Sequence, residues 1–293
     1  MTKRLVILIL LAAASGNYSS RAVEESIDKP MMVDASNGWW CKVTAKEAVI
    51  LRTSDGGKRW TDVSPSDLPG AVKQLFANAL DGSLDQLVTL DVLDAQRAWA
   101  SILPSNDRVI WLEFTADGGR HWTKKVAPIV ADSVDLSFLD DRRGFLLACS
   151  PPAAGKMSKN VYGTEDGGER WYLLFAPDAV SFYPTGISFR SPLDGWISGT
   201  YHGGDDVPLY RTTDGGKSWQ LQKFPIPDDY LGGYADTYSP IFIGADRRKG
   251  YLPVKLVRHE PAPDHCAWVN YESGDGGETW HLPAAGVSSV PFQ

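Results

Sequence analysis

The chain is poor in most of the residues that redox, metal and membrane chemistry draw on. Cysteine occurs at Cys41, Cys149 and Cys266 alone, too few for a disulfide framework and at no zinc-ligand spacing. Of the five histidines, only His259 and His265 stand even loosely together, which leaves a zinc centre without a ligand set. The longest apolar run, Leu5 to Ala14, is about half the length a membrane-spanning helix needs. Positive charge is not in excess, for the formal net charge is −7, the wrong sign for a phosphate backbone. Neither a P-loop, a dinucleotide fingerprint nor a nucleophile elbow is present. Nucleic acid, metal and organic cofactor are therefore not expected.

What is abundant points to strands and turns. Eleven Trp, 28 Gly and 19 Pro are the composition of a sandwich, barrel or propeller rather than of a helical protein. Lys3-Arg4, the apolar run and the small residues Ala12-Ala13-Ala14 read as a signal peptide over residues 1–16, followed by a linker over 17–25. With no Cys beside the cleavage region, a lipid anchor is not expected. The mature chain is expected to be secreted or periplasmic, with no membrane span.

One pattern, Ser/Thr-x-Asp-Gly-Gly-x-x-Trp, is written five times: Thr53 to Trp60, Thr115 to Trp122, Thr164 to Trp171, Thr212 to Trp219 and Ser273 to Trp280. A tight turn between two strands explains its fixed positions. The carboxylates of Asp55, Asp117, Asp166, Asp214 and Asp275 can accept N–H groups two residues on, and the glycines permit positive φ. Trp60, Trp122, Trp171, Trp219 and Trp280 then open the outgoing strand and pack beneath the turn or on a neighbouring unit. A second turn, Asp/Ser-x-x-x-Gly/Ala-aromatic, precedes each copy at Asp34 to Trp39, Asp94 to Trp99, Asp140 to Phe145, Ser191 to Trp196 and Asp246 to Tyr251. Each repeat thus predicts four antiparallel strands, which is a propeller blade. The first and last intervals between the Trp residues exceed the middle two by about a dozen residues, too few for a hidden blade of roughly 40. One propeller of about five blades is expected over 26–293. Residues 71–80 have the spacing of a short surface helix, and the stretches from Pro227 to Tyr238 and from Arg258 to His265 read as long loops.

These repeats resemble the Asp-box or BNR-repeat propellers, a group that includes bacterial sialidases, sortilin-type receptors and photosystem II stability/assembly factor-like proteins. The paired Gly-Trp and Thr-x-Asp-Gly-Gly-x-x-Trp turns look most like the last branch. That resemblance implies a non-enzymatic scaffold which binds a partner protein or complex. Sialidases of the group carry an arginine cluster, a Tyr–Glu pair and an acid/base Asp on six blades. Here the Arg-Ile-Pro segment is missing and the repeat count is five, so no catalytic residue is carried over. A glycan-binding or glycan-cleaving propeller is the alternative.

Two surfaces are candidates for binding. The loops joining second to third strands, with those linking blades, would carry His202, Asp205, Asp206, Tyr230, Tyr234, Asp236 and His259, alongside Arg108, Asp228, Asp229, Tyr238, Arg258, Asp264 and His265. Acidic and aromatic groups dominate there, which suits a polar peptide, a sugar or a cation; the other reading is ordinary solvated loop. Asp205-Asp206 and Asp228-Asp229 lack the alternating oxygen ligands of a calcium loop. The opposite face receives the Gly-aromatic turns with Arg142, Arg143, Arg247 and Arg248, together with Arg97 and Lys249. Such a rim could seat an acidic segment of a partner, unless Asp94, Asp140, Asp141 and Asp246 neutralise it. The Asp-Gly-Gly turns belong at the blade periphery and read as structural. A Cys41–Cys266 bridge would staple the first blade to the last; separate thiols are the alternative.

Overall fold

In the computed structural model, which describes residues 30–43, 48–68, 88–103, 109–150, 157–176, 182–200, 207–244, 246–258 and 265–283, the five Asp-Gly-Gly stretches close through one set of bonds. The Thr53 hydroxyl donates to Asp55 Oδ1 at 3.0 Å and accepts from the Gly57 N–H at 3.0 Å, while Asp55 Oδ1 accepts from the Arg59 N–H at 2.9 Å. The same contacts recur in the other four turns. The carboxylate therefore reaches four residues on, rather than the two that an Asx turn would span. Two successive glycines at φ 75° and 83° widen the loop enough to allow it. The buried pivot is the Ser/Thr, a position the pattern alone left without a role. These donors hold the carboxyls low: the Arg59 N–H keeps Asp55 at about 2 and the Ser218 hydroxyl keeps Asp214 at about 2.

The first glycine of each turn then donates its N–H to the Gly-aromatic turn of the same blade. Gly56 bonds Ser36 O, Gly118 bonds Gln96 O, Gly167 bonds Arg142 O, Gly215 bonds Leu193 O and Gly276 bonds Arg248 O, at 2.7–2.9 Å. Both turns of a blade are locked together at one end of the propeller.

Five antiparallel sheets of four strands result. Blade 1 holds β1 (Met31–Met32), β2 (Gly38–Val43), β3 (Ala48–Thr53) and β4 (Thr61–Asp62); blade 2 holds β5 (Val88–Val92), β6 (Ala98–Ile102), β7 (Val109–Thr115) and β8 (Thr123–Val130). Blade 3 holds β9 (Ser133–Phe138), β10 (Gly144–Cys149), β11 (Lys159–Thr164) and β12 (Tyr172–Phe175); blade 4 holds β13 (Tyr183–Phe189), β14 (Gly195–Thr200), β15 (Leu209–Thr212) and β16 (Gln220–Leu221). Each runs in sequence order from axis to rim.

Blade 5 departs from that plan. Its inner edge is split between β17 (Tyr234–Thr237) and β18 (Ile241–Ile243), which both pair with β19 (Lys249–Arg258), and β19 pairs with β20 (His265–Ser273). The stretch expected as loop thus contains a short 3-10 turn at Asp228–Tyr230 and then an inner strand. Alternation had marked that strand: Ala235 and Thr237 are buried between partly exposed Tyr234 and Asp236. Arg258 to His265 likewise takes in the end of β19 and the start of β20. Of the fourth strand expected after Trp280, the described residues show a single bridge between Glu272 and His281.

Aromatic wedges fill the gaps between blades. The Gly-aromatic residue of one blade meets an inner-strand ring of the next, which in turn meets that blade's Asp-box Trp. Trp99 stacks on Phe138 with centroids 4.0 Å apart, and Phe138 meets Trp171 edge-on at 6.2 Å. Phe145, Phe189 and Trp219 repeat this between blades 3 and 4, and Trp196, Phe242 and Trp280 between blades 4 and 5. Between blades 1 and 2 Val92 replaces the middle ring, so Trp39 meets Trp122 alone, at 6.5 Å. Each aromatic pair adds about 0.5–1.5 kcal/mol beyond its burial. The indole N–H groups of Trp39, Trp122, Trp171 and Trp219 find backbone acceptors and that of Trp196 the Gln222 side chain, whereas those of Trp99 and Trp280 are buried with no partner among the described residues.

None of the three cysteines is in a disulfide, Cys149 being buried and Cys266 exposed, so the Cys41–Cys266 staple is not formed. Cys41 instead points its thiol at Val88 O. The expected helix at 71–80, the leader and linker over 1–25, and the C-terminal 287–293 lie outside the described residues.

Candidate functional site

The inner strands enclose a cavity of about 550 Å³ on the propeller axis, lined from all five blades. Met31, Trp39 and Cys41 come from blade 1, then β5, β9, residues 184–190 and residues 238–242, with Arg247 and Pro253. A second concavity, about 320 Å³, lies at the rim between blades 4 and 5. It is walled by exposed chains such as Gln220, Lys223 and Glu278.

Inner strands of different blades share no ladder, so side chains tie them. The Phe138 N–H donates to Asp91 Oδ2, the Ile187 N–H to Asp135 Oδ2 at 2.7 Å and the Phe189 N–H to Ser137 Oγ at 2.8 Å. Thr185 and Ser188 donate onward to Thr237 O at 2.6 Å and Pro240 O at 2.8 Å. The polar residues inside these strands thus link blade 2 to 3, 3 to 4 and 4 to 5. Burial pushes the Asp135 carboxyl up to about 7, helped by Asp91 and opposed by the N–H groups of Ile187 and Leu136. None of these residues had been singled out from the sequence, although Val134-Asp135-Leu136-Ser137-Phe138 carried the signal: polar residues in a strand that has no outer face.

At the end where the Gly-aromatic turns lie, Arg247 stands over the cavity. Its backbone is left-handed at φ 49°, a conformation that costs a non-glycine residue about 1–2 kcal/mol. Arg247 Nη1 donates to Arg190 O at 3.0 Å, and its charge interacts with that of Asp91 across the axis. Burial holds the Arg247 pKa below the usual arginine value. The neighbouring Arg190 guanidinium is committed to buried Asp194, which Arg211 Nε also reaches at 2.9 Å.

The expected basic rim is therefore divided. Of its six cations only Arg247 lines the axial cavity. Arg97 is spent on Asp94 of its own turn, 2.8 Å away. Arg142 and Arg143 give their backbone N–H groups to Asp140 at 2.8 and 2.7 Å, with Arg142 exposed and Arg143 half-buried. Arg248 and Lys249 are exposed.

The other candidate face is divided as well. Tyr234 and Asp236 lie on inner strand β17, and Asp228, Asp229 and Tyr230 on the turn before it. Arg258 ends β19 and His265 begins β20. His202, Asp205, Asp206 and His259, with Arg108 and Asp264, lie outside the described residues. Among the described residues no group of three His, Cys, Asp or Glu side chains is placed to hold a metal ion, and no helix is long and apolar enough to cross a membrane.

Four-stranded blades fastened by Asp-Gly-Gly turns around an axial cavity define a five-bladed Asp-box β-propeller. The BNR/Asp-box repeat family model matches residues 210–221, the turn of blade 4 with its flanking strands. Among solved structures, one described as YCF48 bound to D1 peptide is similar over 86% of this chain and 78% of its own, at 15% identity and a TM-score of 0.38. YCF48 from Cyanidioschyzon merolae is similar over 74% and 73%, at 15% identity and a TM-score of 0.34. A GH74 xyloglucanase from Xanthomonas campestris is similar over 86% of this chain and 37% of its own, at 15% identity and a TM-score of 0.46. The search of curated proteins found no match.

Proposed function

We propose that the protein is a non-enzymatic binding scaffold, working outside the cytoplasm, that holds a segment of a partner protein at the Gly-aromatic end of the propeller. The observation that carries this reading is how the charges at that end are distributed. The cavity carboxylates Asp91 and Asp135 are engaged in tying strands together, whereas Arg142 and Arg248 stand exposed in the turns around the mouth that Arg247 overhangs. Exposed guanidinium groups suit carboxylates presented by a partner. The resemblance to photosystem II stability/assembly factor-like proteins agrees with this role, and the charged-then-apolar leader with the location.

The test is capture from the native envelope. The tagged protein is expected to co-purify with one membrane complex, and Arg142→Glu with Arg143→Glu to lose it at unchanged melting temperature. Enrichment of polysaccharide in place of protein would overturn the reading. A glycan-processing reading has one observation in its favour, a pair of axial carboxylates of which one is held near pH 7. Turnover of a fluorogenic sialoside or xyloglucan substrate, abolished by Asp135→Asn, would establish it.

A further inference from the structure

We propose that the axial cavity receives an alkylammonium group, the side chain of a partner's lysine, on the carboxylate of Asp135. Two carboxylates and two guanidinium groups line the cavity, and Arg190 is committed to Asp194. Arg247 interacts with Asp91, which leaves Asp135 as the carboxylate without a cation. The groups facing it are Asp91 from β5, which repels its ionised form, the Cys149 thiol from β10, and the N–H groups of Leu136 and Ile187. From blade 5 the facing residue is Ser239, whose hydroxyl oxygen is buried and has no partner among the described residues.

Gly186 lies beside both oxygens. A Cβ at that position would collide with both Ser239 Oγ and Asp135 Oδ2, so the missing side chain lets two acceptors from different blades face one point. Asp135 retains lone pairs beyond those used by the two N–H groups. Leu136 and Ile187 turn into the packing between blades, and the apolar residues of the lining next to Gly186 and Ser239 are Pro184, Pro240 and Ile241. A polar acceptor pair in the wall of a cavity that also holds Pro184, Pro240 and Ile241 matches a lysine, whose four methylenes need cover and whose ammonium carries three donors. The inference rests on the scaffold reading for its partner, but the cavity can be tested alone.

Titrating Nα-acetyl-lysine-N-methylamide, with the norleucine analogue as the uncharged control, is the experiment, read by amide chemical shifts. The lysine compound is expected to shift the Ile187 N–H and to bind about tenfold more tightly at pH 8 than at pH 6, because only ionised Asp135 is competent. Asp135→Asn keeps an oxygen for the Ile187 N–H and should abolish the preference for lysine over norleucine; Ser239→Ala should weaken lysine binding severalfold. Equal binding of the two compounds, or a lysine preference that survives Asp135→Asn, overturns the proposal. Binding of n-butylammonium as tight as that of the lysine compound also overturns it, assigning the cavity to a free amine. Failure here with envelope capture intact leaves the scaffold reading standing, whereas lysine selectivity without capture separates the two in the other direction.

Discussion

Glu113 offers the sharpest test of the packing between blades 1 and 2. It lies on β7, opposite Ala100 and Lys124, is 2% exposed, and its Oε1 has no partner among the described residues. Lys124 does not relieve it by direct pairing, because its ammonium is held by Asp67 at 2.7 Å, over the Trp111 ring. Burial, with repulsion from Asp67, pushes the Glu113 carboxyl from 4.5 up to about 7. A raised acid means that the folded state binds the proton more tightly than the unfolded one. Stability is therefore highest below pH 4.5 as far as this group is concerned, falls as pH rises, and is fully lost above about 7. The shift corresponds to about 3 kcal/mol. Glu113→Gln removes the titration but leaves its amide in the same dry site, at a pH-independent cost of about 1–2 kcal/mol. In urea denaturation the variant should be less stable than the parent at pH 5 and more stable by about 1–2 kcal/mol at pH 8. Asp135 titrates in the same window, but it is common to both proteins and cancels in the difference. A difference between them that stays constant from pH 5 to 8 would refute the reasoning.

Three further outcomes follow from local contacts. Gly144→Ala should destabilise by about 1–3 kcal/mol, because its Cβ would strike the Phe138 ring; Phe138→Val should recover part of that loss, since blade 2 pairs Val92 with Ala98 at the same place, and additive melting shifts would contradict it. Thr164→Val strips the acceptor from the buried Gly168 N–H, costing about 1–3 kcal/mol in chemical denaturation. Thr53→Val should cost less, because the Gly57 N–H is only partly buried, and equal losses would undo the comparison. Iodoacetamide at pH 8 should alkylate exposed Cys266 and spare Cys149, which burial pushes up to about 12; mass spectrometry of the native protein checks this, and labelling of Cys149 would disprove its burial.

The fold was legible because each fixed position of the repeat is satisfied within its own blade. Thr164 bonds Asp166 and Gly168, and Gly167 bonds Arg142, all inside one sheet, so the local pattern sufficed to count blades and set strand order. Blade 5 was harder to read. Pro240 and the Tyr238-Ser239 step break its inner strand into β17 and β18, and the acidic Pro227-Asp228-Asp229 run before it looks like loop although Tyr234–Thr237 alternates as a strand does. The basic rim failed to assemble for another reason. Composition gives the number of arginines in a turn, but not that Arg97 turns back on Asp94 while Arg247 takes a left-handed backbone and leans over the axis.

The polar residues of the inner strands were visible in the sequence, but their partners were not, because these lie in other blades. Asp135 meets Ile187, and Ser188 meets Pro240, at a separation of 52 residues in both cases, nearly one repeat. That offset is set by the ring and not by any neighbouring residue. A polar side chain in an inner strand can thus be a tie, as Ser137 and Thr185 are, or a tie with capacity left over, as Asp135 is. Only the geometry of the adjacent blade decides which. Gly186 and Ser239 tip the balance at Asp135: the first withholds a side chain and the second brings an unpaired hydroxyl. It follows that Gly186→Ala, whose Cβ would press on Ser239 Oγ and on the same Asp135 Oδ2 that accepts the Ile187 N–H, should abolish lysine selectivity, the tie being kept where the carboxylate turns aside and lost where it does not. Hydrogen exchange at the Ile187 amide separates the two effects: slow exchange with no lysine binding supports a filled site, and fast exchange means the tie itself was lost.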